Sequence, residues 1–252
     1  MLVFTPLEQF QIIAVCAFRL GAFDFSISNA TLIILIGLFG LVITFYVLCA
    51  EDANLFFVPS RIQHFFELIF ETILTMLVDS VGLRAQKYFP FILCIFLFVL
   101  VANVIGLVPC SFTITSHLIV TFALSLGVFT GINVICFKEH GFQTLSLFLP
   151  SGSSLGLAFL LVPIEFVSYI FRPLSLAVRL FANMMAGHTL LKVIAGFSWS
   201  MLLSAGLIFC FHFLPLIILV ILTGLELCVA CIQAYVFTIL SCIYLNDALN
   251  LH

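Results

Sequence analysis

The sequence predicts an all-α polytopic membrane protein, and three observations carry that prediction. Hydrophobic residues make up 64% of the 252 and charged residues only 8%, with mean hydropathy +1.37. A soluble domain of this length carries roughly 25% charge. The apolar residues also run continuously for about 20 positions at a time, the length a helix needs to cross a bilayer core about 30 Å thick. Closed β-barrels are the other structures that can span lipid, but their strands alternate polar and apolar residues, and these runs do not alternate.

Composition also excludes several classes. The net charge is −3 and there is no basic tail or patch, so nucleic acid is not an expected partner. The nine cysteines are an odd number, mostly inside apolar runs. They read as small buried hydrophobes, not as a disulfide framework. Cys228 and Cys231 have CxxC spacing but no second pair, so no metal site or cofactor is implied. No basic, cleavable leader precedes the first apolar run, and the N-terminus is not an Arg-rich transit peptide. The chain is therefore expected to enter its membrane without a cleaved presequence.

The elements follow in order. Residues 1–30 mix Glu8, Arg19 and Asp24 with apolar residues and read as an interfacial segment. Thr31 to Ala50 is a first span, ended in water by Glu51-Asp52-Ala53-Asn54. Between Pro59 and Gly82, residues Arg61, His64, Glu67, Glu71 and Asp79 are polar, while Phe65, Phe66, Ile69, Phe70, Ile73, Leu74 and Leu77 fill another face. That pattern predicts an amphipathic helix lying at the interface. Tyr88 to Val108 is a second span, stopped by Pro109, and Ser116 to Phe137 a third, closed by Lys138-Glu139-His140-Gly141. Residues 150–154, Pro-Ser-Gly-Ser-Ser, form a loop and a helix start.

Two long segments remain, Leu155 to Gly196 and Trp199 to Leu249. At 1.5 Å per residue the first is about 63 Å long as a helix, too long for one upright crossing. Each either folds into two short spans or lies tilted and bent, with Pro163, Pro173 and Pro215 as bending points. Arg61, Arg84, Lys87 and Lys138 flank the first three spans on one side, which should face the matrix or cytoplasm. The turn from Cys110 to Ser116 has no lysine or arginine and should face outward, as should the turn near Gly196. Lys192 counts against this orientation. The chain divides into residues 1–30, a set of spans at 31–150 that includes the amphipathic helix 59–82, and the two long segments at 151–252.

The functional signal lies between Pro163 and His188. Glu165, Ser168, Arg172, Ser175, Arg179 and Asn183 are spaced 3, 4, 3, 4 and 4 apart, which puts all six on one helix face. Each charge costs about 2.5–3.5 kcal/mol at a lipid-facing helix centre, so the stripe must face protein, water or other charges. Glu165 and Arg172, seven apart, cannot bond tightly on a straight helix. Arg179 has no acid within four positions and needs a partner elsewhere. The small residues Ala177, Ala182, Ala186 and Gly187 allow another helix to come close, and with an unpaired arginine they point to a visiting carboxylate. In the last segment, Thr223, Glu226, Gln233 and His212 lie on roughly one face. Glu226 also lacks a nearby cation, and His188 is a candidate partner, since histidine changes charge near neutral pH. His117 and His212 read as structural.

The runs LSLAVRLFANMMAGH from Leu174 to His188 and GLELCVACIQAYVFTILSCIYLND from Gly224 to Asp247 resemble subunit a of F-type ATP synthases in its mitochondrial and alphaproteobacterial forms. The stretch from Asn103 to Pro109 fits as well, and the resemblance covers most of residues 60–250. It implies that the long segments are two tilted membrane helices forming a hairpin. Arg179 would be the essential arginine facing a ring of c subunits, with Asn183 and Gln233 beside it and Arg172 and Ser175 in support. His188 and Glu226 would line the half-channel from the outer side. Many bacterial members exchange this pair, placing the acid first. Glu165 and Asp247 would line the half-channel to the inner side. The implied partners are the c-ring with its carboxylates, peripheral-stalk and other membrane-sector subunits, and the lipid bilayer. The chain would carry protons without being catalytic alone, and it has no GxxxxGK[ST] phosphate loop. The abundance of phenylalanine (31 residues) and the LND ending favour the mitochondrial inner membrane over a bacterial one. A secondary transporter would show inverted repeats, and the first 150 residues hold no second copy of the stripe. A structural membrane subunit would pair its buried charges within the chain. Sodium in place of protons depends on the ring.

Overall fold

The computed structural model describes residues 8–20, 23–51, 61–108, 111–141, 144, 155–203 and 213–250. These residues are overwhelmingly helical. Six α-helices follow one another: α1 (Asn29–Glu51), α2 (Arg61–Val81), α3 (Phe89–Gly106), α4 (Leu118–His140), α5 (Leu155–Leu203) and α6 (Phe213–Leu249). By length and composition, four stretches can cross a membrane: Leu83–Gly106, Leu118–His140, Phe159–Leu203 and Phe213–Leu249. The all-α polytopic architecture is therefore present. The loop expected at 150–154, Pro109 and His212 lie outside the described residues.

The two long segments are each one helix, not pairs of short spans. α5 has 49 residues and α6 has 37, about 74 and 56 Å at the α-helical rise. Neither length suits an upright crossing. The boundary between them differs from the expectation, because Trp199 belongs to α5. Gly196 does not end that helix. A single internal glycine costs only about 1 kcal/mol relative to alanine, and the run from Phe197 to Leu203 continues the apolar pattern.

Before α1 the described chain forms two short antiparallel ladders, β1 (Ala14–Cys16) with β4 (Ile27–Ser28) and β2 (Arg19–Leu20) with β3 (Phe23–Asp24). The helix entry is capped reciprocally. Thr31 N–H donates to Ser28 Oγ at 3.4 Å, and Ser28 N–H donates to Thr31 Oγ1 at 2.9 Å. Asn29 Nδ2 donates back to the Gln11 carbonyl at 3.1 Å.

The contacts divide the chain into two compact units. The first draws on Met1–Ile43, Phe98–Leu118 and Leu180–Ala234, the second on Thr44–Leu97, Ile119–Arg179 and Tyr235–His252. In the first unit, α1 packs closely on α3 at Gly37, where an added Cβ would stand 3.3 Å from Ile105 Cδ1. Asn103, fully buried on α3, donates from Nδ2 to the Ala230 carbonyl of α6 at 3.3 Å. His117 stacks on Phe112 at 5.1 Å, and burial holds its imidazole below the usual pKa, which keeps it neutral.

In the second unit, α2 is amphipathic as its sequence requires. Ile73, Met76, Leu77 and Val81 are buried, while His64, Glu67, Glu71 and Asp79 are exposed. α3 and α4 meet at Gly131, where an added Cβ would come within 3.2 Å of the Phe91 ring. At the foot of these helices Lys87 forms an ion pair with Glu139, and Tyr88 OH donates to the same carboxylate at 3.0 Å. His140 Nε2 lies 3.1 Å from the Leu249 carbonyl, tying the end of α4 to the end of α6.

Candidate functional site

α5 buries Leu176, Ala177, Leu180 and Met184 and turns its polar stripe away from them. Ser168, Ser175, Arg179 and Asn183 are exposed, while Glu165 and Arg172 are half-buried. The split follows from the 100° step of the helix: the apolar and polar positions fall in separate angular sectors. Among the described residues Arg179 makes no ion pair and no side-chain hydrogen bond. The small residues divide. Ala182 and Ala186 lie on the exposed side beside Arg179, whereas Ala177 is spent on the chain's own core.

In the first unit the structure brings together the acid and the imidazole singled out above. His188 Nε2 faces Glu226 Oε1 at 3.6 Å, with side chains only 14% and 7% exposed. Neither Glu226 oxygen has a hydrogen-bond partner among the described residues, and His188 Nε2 likewise has none. Gly187 makes this approach possible, because a Cβ there would stand 2.5 Å from Glu226 Oε1 and 3.0 Å from its Cδ. One to two turns nearer Arg179 on the two helices, Asn183 Nδ2 donates to Gln233 Oε1 at 3.2 Å.

Two cavities reach this pair. A cleft of 610 Å³ is lined by His188 together with polar groups from four other parts of the unit: Gln9, Asn29, Ser111, Thr223 and, from α5 itself, Lys192. A second cavity of 220 Å³ is lined by Glu226, Gly187 and Asn183 among apolar residues. The pair thus has one member on each cavity.

In the second unit Arg172 holds the centre. Its Nη1 bonds Asp247 Oδ2 at 2.8 Å and its Nη2 lies 3.8 Å from Glu165 Oε1. The looser contact agrees with the seven-residue spacing of Glu165 and Arg172. The guanidinium also lies 5.7 Å from the Tyr169 ring centre and 5.4 Å from that of Tyr244, within cation–π range. Tyr169 OH in turn donates to Asn133 on α4. The Tyr244 contact and the Asn133 link were missed in the sequence. Tyr244 stands three residues before Asp247, a helix-neighbour spacing that would have paired them. Asn133 carried no signal, because a single amide in an apolar helix has no periodic partner.

The remaining geometry offers no place for a metal: among the described residues no group of three His, Cys, Asp or Glu side chains could hold one.

Comparison with known proteins completes the picture. The sequence profile of the ATP synthase A chain family matches residues 31–246. The chain is 58% identical over 248 residues to the ATP synthase subunit a of Pylaiella littoralis, covering 98% of this chain and 99% of that one. It is 46% identical to the subunit a of Chondrus crispus, over 98% and 97% of the two chains. It is also 46% identical to that of Pelagibacter ubique, over 98% of each. The chain therefore belongs to the ATP synthase A chain family, as the multi-pass, proton-translocating subunit a of the membrane sector, a channel component of the synthase complex and not a catalyst on its own.

Proposed function

We propose that this chain supplies two aqueous half-channels to a ring of c subunits and that Arg179 separates them. The observation that carries the reading is Arg179 itself: an exposed guanidinium on a membrane helix with no ion pair among the described residues. A charge in that position is expensive in lipid and is stabilised by a carboxylate brought to it from outside the chain. A proton enters from the outer side through the 610 Å³ cleft, passes His188 and Glu226, and neutralises a ring carboxyl beside Asn183 and Gln233. The neutral ring subunit can then turn into lipid, where a charged one could not go. After nearly a full turn the carboxyl meets the second polar cluster and releases its proton towards Glu165 and Asp247. Arg179 repels a proton that would hop directly between the paths and attracts the ionised ring carboxylate. Arginine suits the role because it stays charged at any working pH.

In this reading residues 151–252 carry the ion path, residues 31–150 brace it, and residues 1–30 lie at the interface. The partners are the c-ring, peripheral-stalk and other membrane-sector subunits. The mitochondrial inner membrane is the proposed site, supported by the phenylalanine-rich composition and the LND ending.

The test is disulfide cross-linking to an introduced c-subunit cysteine in native membranes. Ser175→Cys and Ala182→Cys, on the exposed side of α5, should cross-link; Leu180→Cys, which is 0% exposed, should not. Leu176, three residues from Arg179, is only 2% exposed and belongs with Leu180. Failure of both exposed positions would leave Arg179 without a rotor partner and end this assignment. Arg179→Ala should abolish proton-coupled synthesis, read as ATP formation against an imposed proton gradient.

A further inference from the structure

We propose that Lys192 is a cation-excluding residue at the mouth of the uptake cleft, which keeps alkali ions from reaching Glu226 while protons pass. This rests on the half-channel reading above and gives Lys192 a role within it.

Four observations lead there. The cleft that reaches His188 is lined by residues of α1, α3, α5 and α6, of the segment after α3 and by Gln9, and among the described lining residues Lys192 is the only lysine, arginine or carboxylate. Lys192 makes no ion pair among the described residues, so its charge is not neutralised by a neighbour. It also breaks the charge asymmetry of the chain. By the positive-inside tendency Arg61, Arg84, Lys87 and Lys138 mark the inner side, and the topology expected from the sequence puts Lys192 on the other, where a lysine is the exception. Finally, the cleft ends at His188, and 3.6 Å behind that ring lies a carboxylate whose two oxygens are buried and without hydrogen-bond partners among the described residues.

That last point creates a selectivity problem. Carboxylate oxygens are good ligands for hard cations, and at neutral pH alkali ions outnumber protons by orders of magnitude. A cleft that ends one side chain short of such a group needs a device that discriminates. Lys192 stands four residues after His188, on the same face of α5 and one turn further out. A fixed positive charge about 5 Å from an entering monovalent ion, at an effective dielectric constant near 20, lowers its occupancy by roughly two- to three-hundredfold. The proton escapes most of that penalty. It crosses as a charge on the His188 ring, where Glu226 at 3.6 Å compensates it, whereas an alkali ion must first lodge beside the ammonium. Gln9, Asn29, Ser111 and Thr223 line the rest of the cleft with neutral polar groups that favour neither sign.

The experiment uses the whole synthase in liposomes, with ATP synthesis driven by an imposed proton gradient. The bath on the cleft side contains either potassium or choline chloride at equal ionic strength, so that screening is the same in both. Wild type and Lys192→Arg should run equally in the two salts. Lys192→Met and Lys192→Gln should slow at least threefold in potassium relative to choline, by competition that added protons relieve. If both neutral variants run at the same rate in the two salts, Lys192 excludes nothing and the proposal fails. Glu226→Gln is run alongside. If it takes up protons normally, the half-channel reading falls and this one with it; if it is inactive in both salts while the neutral Lys192 variants ignore potassium, only the cation-excluding role is overturned. Using two neutral variants keeps the outcome readable if one does not assemble.

Discussion

The two polar clusters of this chain are built on opposite principles. In the first unit an imidazole and a carboxyl face each other at 3.6 Å, nearly buried, with no lysine or arginine bonded to either among the described residues. In the second unit a guanidinium sits between two carboxylates and two tyrosine rings, with side chains 25–41% exposed. The imidazole of the first pair changes charge near neutral pH, and the carboxyl beside it can exchange that proton. The arginine of the second cannot. On the proposed reading, the difference teaches how one membrane helix can serve two tasks. Loading a proton requires groups that change charge easily, because each passage protonates and deprotonates them. Releasing it, on the proposed reading, uses a polar exit of fixed composition, where Arg172 holds two carboxylates in place.

The comparison is broken most severely at Glu226. Glu226→Gln keeps the shape but removes the group that, in the proposed path, takes the proton from His188. Positioned proton-transfer groups contribute about a hundredfold or more to the steps they assist. Proton uptake through the assembled complex should therefore fall by at least tenfold, measured as gradient-driven flux with the amount of assembled complex checked in parallel. Unchanged flux would make Glu226 a structural carboxyl.

Gly187→Ala should act more mildly and without touching any titratable group. Alanine is the better helix former by about 1 kcal/mol, so the helix itself gains. The new Cβ would nevertheless fall 2.5 Å from Glu226 Oε1, and the carboxylate must move. The expected outcome is a several-fold loss of uptake in a complex that assembles as well as wild type. Equal loss of assembly and flux would mean that Gly187 serves helix packing and not the position of Glu226.

How much of this could be read beforehand divides along physical lines. The spans were legible because solvation by lipid leaves long uninterrupted apolar runs, and α2 because its polar and apolar residues separate with helical periodicity. The stripe from Glu165 to Asn183 was legible for the same reason. The pairing of His188 with Glu226 was approachable because each lacked a partner on its own helix. Other features were not legible. That Leu176 belongs to the buried side depends on which neighbours α5 packs against, and it lies at the border between the two sectors. The strands before α1 are two or three residues long, too short for any alternation to register. The cleft at Lys192 draws on distant parts of the chain, and sequence spacing carries no information about that. Lys192 showed itself only as an exception to a charge rule.

The smallest effect should come from changing how Arg172 is held. Arg172→Gln leaves Asp247 and Glu165 without their shared cation, so nothing holds the two carboxylates in their present geometry. Release should then slow. Arg172→Lys keeps the charge but loses the forked geometry that reaches both carboxylates. It should retain the bond to Asp247 and lose the weaker contact to Glu165, which is already 3.8 Å long. We expect a loss of about twofold to threefold in synthesis rate for lysine and a clearly larger one for glutamine, with Arg179→Lys far more damaging than either, because in the proposed mechanism Arg179 meets a carboxylate that moves. If Arg172→Lys is as damaging as Arg179→Lys, then Arg172 does more than hold two fixed acids in place, and the contrast between a relay that changes charge and a release site of fixed charge would have to be redrawn around it.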